Sequence, residues 1–146
     1  MDGDMLLAVD IGNTHITLGV FEGEKLGPRW RMATLIERTS DEFGLQMLGL
    51  FRHSGLKKDD IQGVIIASVV PTLTSGLLES FNKYLGLDAL VVDAGIKTGV
   101  SIRCDDPRQV GADRVVDAAA VLALYSYPAC IVDFGTATTF DAISDS

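Results

Sequence analysis

Apolar and polar positions along this chain fall into short runs that name its elements one at a time. Met5 to Val9 and Leu18 to Phe21 are apolar, and between them lies Asp10-Ile11-Gly12-Asn13-Thr14-His15-Ile16-Thr17. Two strands meeting at a short turn are expected there. Gly23-Glu24 makes a second turn, and the alternation over Arg29 to Thr34 predicts a third strand. Thr39-Ser40-Asp41-Glu42 places a hydroxyl three residues before a Glu, the pattern of a capping box that opens a helix. Phe43, Met47, Leu50 and Phe51 fall on one face of that helix, and Gly55 closes it. Gly63 to Val70 is almost wholly apolar and β-branched, which predicts a strand covered on both faces. Pro71 starts a second helix with the stripe Leu73, Leu77, Leu78 and Phe81, ending near Gly86; Leu90 to Val92 follows as a short strand.

Beyond this point the pattern loosens. Asp93 to Arg108, with its glycines and Pro107, reads as an irregular loop. Gln109 to about Tyr125 predicts a long Ala- and Val-rich helix, apolar on most sides and therefore buried between layers. Pro128 ends it and Ala129 to Val132 begins another strand. Hairpin strands followed by crossovers predict an α/β fold, a mixed sheet with helices on its faces. The chain also repeats itself: Val132-Asp133-Phe134-Gly135-Thr136-Ala137-Thr138-Thr139 echoes Val9-Asp10-Ile11-Gly12-Asn13-Thr14-His15-Ile16. A duplicated unit fits two lobes, each offering a hairpin to a shared cleft. The expected organisation is a first lobe over 1–108, then a connecting helix and the opening hairpin of a second lobe over 109–146.

Composition narrows the function. At 146 residues, 47% apolar and 22% charged, the chain has the make-up of a globular domain with a sizeable core. A net charge of −8 argues against nucleic acid, because phosphate neutralisation needs clustered Lys and Arg. No apolar run approaches the roughly 20 residues of a membrane span, and the acidic start Met1-Asp2-Gly3-Asp4 is unlike a secretory signal. Cys104 and Cys130 make neither a disulfide framework nor a zinc motif. A cytoplasmic protein is the expectation.

Chemistry concentrates in three clusters. In Asp10 to Thr17, Gly12 lets a ligand approach the main chain, Asn13, Thr14 and Thr17 offer donors, and Asp10 suits a metal ion or its bound water. An ordinary hairpin turn uses the same residue types; the second copy at Asp133 to Thr139 favours a phosphate loop. The third cluster is Gly111-Ala112-Asp113-Arg114. In a cleft, Asp113 suits deprotonation of a hydroxyl and Arg114, with its planar fork, suits a carboxylate. Residue chemistry alone equally allows a structural role, with Asp113 complementing the helix dipole and Arg114 pairing with Asp117 three residues on.

The three motifs in this order resemble those of the type III pantothenate kinases, a family of the actin, hexokinase and Hsp70-like superfamily with its ribonuclease H-like lobes. The resemblance covers essentially the whole chain, although family members are longer and carry a complete second lobe. It implies ATP-dependent phosphorylation of pantothenate to 4'-phosphopantothenate, the first step towards coenzyme A, in a homodimer. It implies that Asp10, Ile11, Gly12, Asn13, Thr14, His15, Ile16 and Thr17 form the first ATP phosphate loop, with Asp10 near magnesium, and that Thr136 contacts ATP. Asp113 would be the general base, while Gly111, Ala112 and Arg114 hold pantothenate. Asp133 matches the position for a monovalent cation, potassium or ammonium. Similar members carry a Tyr touching pantothenate where this chain has Cys104, a smaller contact with less reach. The alternative is a non-catalytic nucleotide- or partner-binding domain of the same superfamily; a third reading is a kinase or phosphatase acting on another acceptor.

Overall fold

The computed structural model describes residues 4–93 and 95–144, with Arg108 described by its backbone alone. The chain divides into two compact units, Met1–Val91 and Val92–Ser146. The sequence expectation places a boundary after residue 108; the division into compact units falls after Val91.

The first unit is built around β1 (Met5–Ile11). It pairs antiparallel with β2 (His15–Glu22) and parallel with β4 (Ile61–Ser68). With β3 (Lys25–Ala33) and β5 (Ala89–Val92) this gives a five-stranded mixed sheet in the order β3-β2-β1-β4-β5. Pro28 sits in the edge strand β3, where a missing N–H is tolerated. Alternation decides what each face does. Leu7, Val9 and Ile11 of β1, and Ile16, Leu18 and Val20 of β2, are buried in one core with Val64 and Ile66 of β4. Residues between them point to the other face, so β4 has a buried side and a partly covered one rather than two equally covered sides.

Two helices close that core. α1 (Ser40–His53) contributes Phe43, Met47 and Phe51, and α2 (Pro71–Leu85) contributes Leu73, Leu77 and Phe81. The capping box forms as the sequence suggests: Thr39 Oγ1 accepts from the Glu42 N–H at 3.2 Å, and Glu42 Oε2 accepts from the Thr39 N–H at 2.9 Å. Pro71 occupies the first turn of α2, and Gly86 ends it in the left-handed conformation, φ 71°. Phe43 and Phe81 meet edge to face with centroids 5.6 Å apart. Asp41 of α1 accepts from Lys83 Nζ and Tyr84 Oη of α2, each at 2.7 Å.

The second unit holds α3 (Ala112–Leu124) and an antiparallel hairpin of β6 (Ala129–Phe134) and β7 (Thr138–Ile143). The helix starts at Ala112, not at Gln109. Pro107–Gln109 form a separate 3-10 turn, and Gly111 is extended (ψ 153°), which interrupts the helical run. Its buried residues are Ala112, Val115 and Ala118, a single narrow stripe, whereas Val116 and Leu124 are exposed. Burial on most sides is therefore not what the described residues give this helix.

Gly44 of α1 faces Ser80 and Tyr84 of α2 at close range. A Cβ there would overlap the Tyr84 ring and lie 2.8 Å from Ser80 Oγ. Tyr84 cannot yield without losing its bond to Asp41. Gly44→Ala is expected to lower stability by about 1–2 kcal/mol, crowding outweighing the better helix propensity of Ala. Urea unfolding measures this; an unchanged or higher midpoint would contradict the packing.

Candidate functional site

The first motif is less a loop than the tip of a hairpin. Asp10 and Ile11 end β1, His15 to Thr17 begin β2, and the Gly12 N–H bonds to His15 O at 2.9 Å. Only Asn13 and Thr14 lie between that pair. Ile11 and Ile16 are completely buried. Their side chains belong to the core, so they act on any ligand by fixing the backbone. Asp10 pairs with Thr17 across the ladder, which puts both on the sheet face away from the helices.

The tip is tied down from β3's end. Thr34 Oγ1 donates to Gly12 O at 2.7 Å, and the Thr34 N–H donates to Thr14 O at 3.0 Å. Two carbonyls of the tip are thereby occupied by Thr34. A Cβ on Gly12 would stand 3.2 Å from His15 O, tighter than ordinary contact, so the turn closes most easily around glycine. Thr34 was not among the candidates read from sequence. It is 22 residues from Gly12, and only its place after the third strand hints at the contact.

The second hairpin repeats the design. Asp133 lies one residue before the end of β6, two before Gly135, and pairs with Thr139 on β7, as Asp10 pairs with Thr17. The Gly135 N–H bonds to Ala137 O at 3.1 Å, and Thr136 lies at the tip. Register places Ile131, Asp133, Thr139 and Asp141 on one face and Val132, Phe134 and Phe140 on the other. The apolar face is exposed.

The polar face receives α3. Asp113 and Arg114 sit in the first turn of that helix, after the extended Gly111 and the buried Ala112. Arg114 does not pair with Asp117. Its Nε donates to Asp141 Oδ1 at 2.8 Å and Oδ2 at 2.9 Å, and its Nη2 bonds to Asp141 Oδ1. That contact, reinforced by Asp113 and Cys104, holds the Arg114 pKa above its usual value. Cys104, exposed, thus lies near enough to Arg114 to act on its charge. The Arg114 N–H also donates to Asp113 Oδ1 at 2.8 Å, which leaves Asp113 Oδ2 without a hydrogen bond among the described residues.

Asp117 makes no hydrogen bond among the described residues. Burial pushes its carboxyl pKa up, and the negative charges of Asp133, Asp113 and Asp141 push it further. Among the described residues no group of three or more His, Cys, Asp or Glu is arranged to hold a metal ion. The donor chemistry nevertheless fits hard cations: Asp10 and Asp133 offer carboxylate oxygens, and Asp117 carries a charge that a nearby cation would relieve. No helix among the described residues is long and apolar enough to cross a membrane.

Asp117 and Asp141 are the residues that sequence reading missed as members of this cluster. Alternating polar positions Thr139 and Asp141 on β7 were the available signal for the second. A raised carboxyl means that the folded state holds its proton more tightly than the unfolded one. The penalty is absent below the ordinary carboxylate range and complete above the raised pKa. Asp117→Asn should therefore raise the melting temperature by a few degrees near pH 7 in potassium-free buffer, with the gain fading at about pH 4 and below. A variant less stable than wild type at neutral pH would contradict this.

Residues 6–146 match the model of the type III pantothenate kinase family. A type III pantothenate kinase of Moorella thermoacetica is 55% identical over 141 residues, covering 97% of this chain and 56% of the relative. One from Dehalococcoides mccartyi is 49% identical over 142 residues, covering 97% and 55%. One from Halalkalibacterium halodurans is 45% identical over 141 residues, covering 97% and 56%. The chain spans about half the length of these curated relatives. Among solved structures, a reductive activator for a corrinoid, iron-sulfur protein is similar in fold, with a TM-score of 0.59 at 13% identity, covering 92% of this chain and 28% of the other. The three motifs of the present chain lie at two hairpin tips and a helix start, and with these matches the chain belongs to the type III pantothenate kinase family.

Proposed function

We propose that the protein transfers the terminal phosphoryl group of ATP to the primary hydroxyl of pantothenate, the first step towards coenzyme A. Membership of the family over residues 6–146 carries this reading. On it, residues Asp10 to Thr17 grip ATP phosphates through the N–H and hydroxyl groups of the β1–β2 tip, and Thr136 does so from the β6–β7 tip. The Thr34 bonds support the first assignment, because occupying Gly12 O and Thr14 O with donors lowers repulsion with an anion.

Asp113 takes the proton from the attacking hydroxyl. Its support is positional: one carboxylate oxygen is anchored by the Arg114 N–H and the other is left to accept. Gly111, Ala112 and Cys104 contact pantothenate, and Arg114 holds its carboxylate. Phosphoryl transfer asks little covalent chemistry of a protein, so alignment of hydroxyl and phosphate, together with charge neutralisation, supplies most of the rate. Asp133 and Asp10 would hold a monovalent cation and magnesium, which when bound neutralise phosphate charge. The family likeness further supports a homodimer and residence in the cytoplasm.

The test uses protein of the relatives' full length and follows pantothenate-dependent ADP formation. Asp113→Asn should lower kcat by about 10²–10⁴-fold, with the KM for ATP little changed. A wild-type rate in that variant would remove the base assignment. Tight ATP binding with no transfer by the wild-type protein would favour the non-catalytic nucleotide-binding reading.

A further inference from the structure

Arg114 occupies an electrostatically awkward place. It stands in the first turn of α3, near the positive end of the helix dipole, where anions are favoured and cations are not. Its side chain is 40% exposed, whereas that of Asp141, which reaches it from β7, is 17% exposed. The two residues lie 27 positions apart, so the contact joins separate elements rather than neighbours in sequence. Asp141 approaches along one edge of the guanidinium only. Nε faces both carboxylate oxygens, and Nη2 takes one of them with a single hydrogen.

A guanidinium has five N–H donors in a rigid plane. With the Nε edge occupied, both hydrogens on Nη1 and the second on Nη2 make no bond among the described residues. One Nη1 hydrogen and the second Nη2 hydrogen lie along the other forked edge, whose spacing matches a second carboxylate. An unrestrained arginine on a first helical turn would sample many rotamers and swing away from the dipole. Asp141 removes that freedom and keeps the open edge in one orientation.

From this geometry we propose that Asp141 is a positioning residue for substrate recognition. It clamps the Nε edge of Arg114 so that the Nη1–Nη2 edge is presented, pre-oriented, to the carboxylate of the acceptor substrate. The proposal rests on the reading that Arg114 binds the pantothenate carboxylate. Asp141 itself touches no substrate. Its register on β7, two residues beyond Thr139 and on the same face as Asp133, also ties the acceptor side to the hairpin that carries the cation-site candidate.

Steady-state kinetics on protein of the relatives' full length tests the clamp. Asp141→Asn keeps the shape and removes the charge. It should raise the KM for pantothenate about tenfold or more while the KM for ATP stays within about twofold, a split that general loss of structure would not give. In an Arg114→Gln background the same change should have little further effect, because the residue acts through Arg114. If Asp141→Asn does not fold, Asp141→Glu serves: it retains the pair but shifts the guanidinium by one methylene, and should raise the pantothenate KM by about threefold or more with that for ATP unchanged. An unchanged pantothenate KM overturns the proposal. So does an equal rise in both constants, or a fall in the pantothenate KM, which would make Asp141 a competitor for the arginine. If Arg114→Gln alone leaves the pantothenate KM unchanged, the fault lies in the reading of Arg114. If Arg114→Gln raises it and neither Asp141 variant does, the clamp alone is wrong.

Discussion

Everything in the first unit depends on the two-residue alternation of β1. Leu7, Val9 and Ile11 must face α1 and α2, because their burial holds the central strand in the core. Asp10 then has no choice of side. It is delivered to the opposite face, one residue before the strand ends, with Thr17 beside it through the ladder. A register slip of one residue would put the carboxylate in the core and Ile11 in water. Hydrophobic burial thus aims the polar tip, and Thr34 ties down two of the tip's carbonyls.

The second unit applies the same rule with a different covering. Asp133, Thr139 and Asp141 share one face of the β6–β7 hairpin, and α3 meets that face through Arg114. The concentration of acids there is unfavourable by itself: burial raises the Asp117 carboxyl pKa first, and the charges of Asp133, Asp113 and Asp141 push it further. One arginine offsets part of it from within, and bound cations offset more under the proposed function. Phe134 and Phe140, on the other face, meet no neighbouring strand among the described residues.

What was legible in the sequence was local. The capping box at Thr39, the proline start and left-handed glycine end of α2, and the alternation of β1 and β2 each depend on residues a few positions apart. The repeat of Asp-x-Gly was legible for the same reason, and both copies are hairpin tips. The α3 start was misplaced because composition does not report the extended Gly111 or the 3-10 turn ahead of it. The structural alternative that helix spacing allows for Arg114, a pair with Asp117, does not form, because the tertiary fold brings Asp141 to the guanidinium instead. Thr34 escaped notice because hydrogen bonds across 22 residues leave no periodic trace.

Under the proposed function, both Asp-x-Gly hairpin tips are phosphate loops. The most direct test is amide-resolved NMR of the protein titrated with ATP and magnesium. The largest saturable shifts are expected on Gly12, Asn13 and Thr14, and on Gly135 and Thr136. Shifts confined to other surfaces, with both tips unmoved at saturating nucleotide, would contradict the phosphate-loop reading.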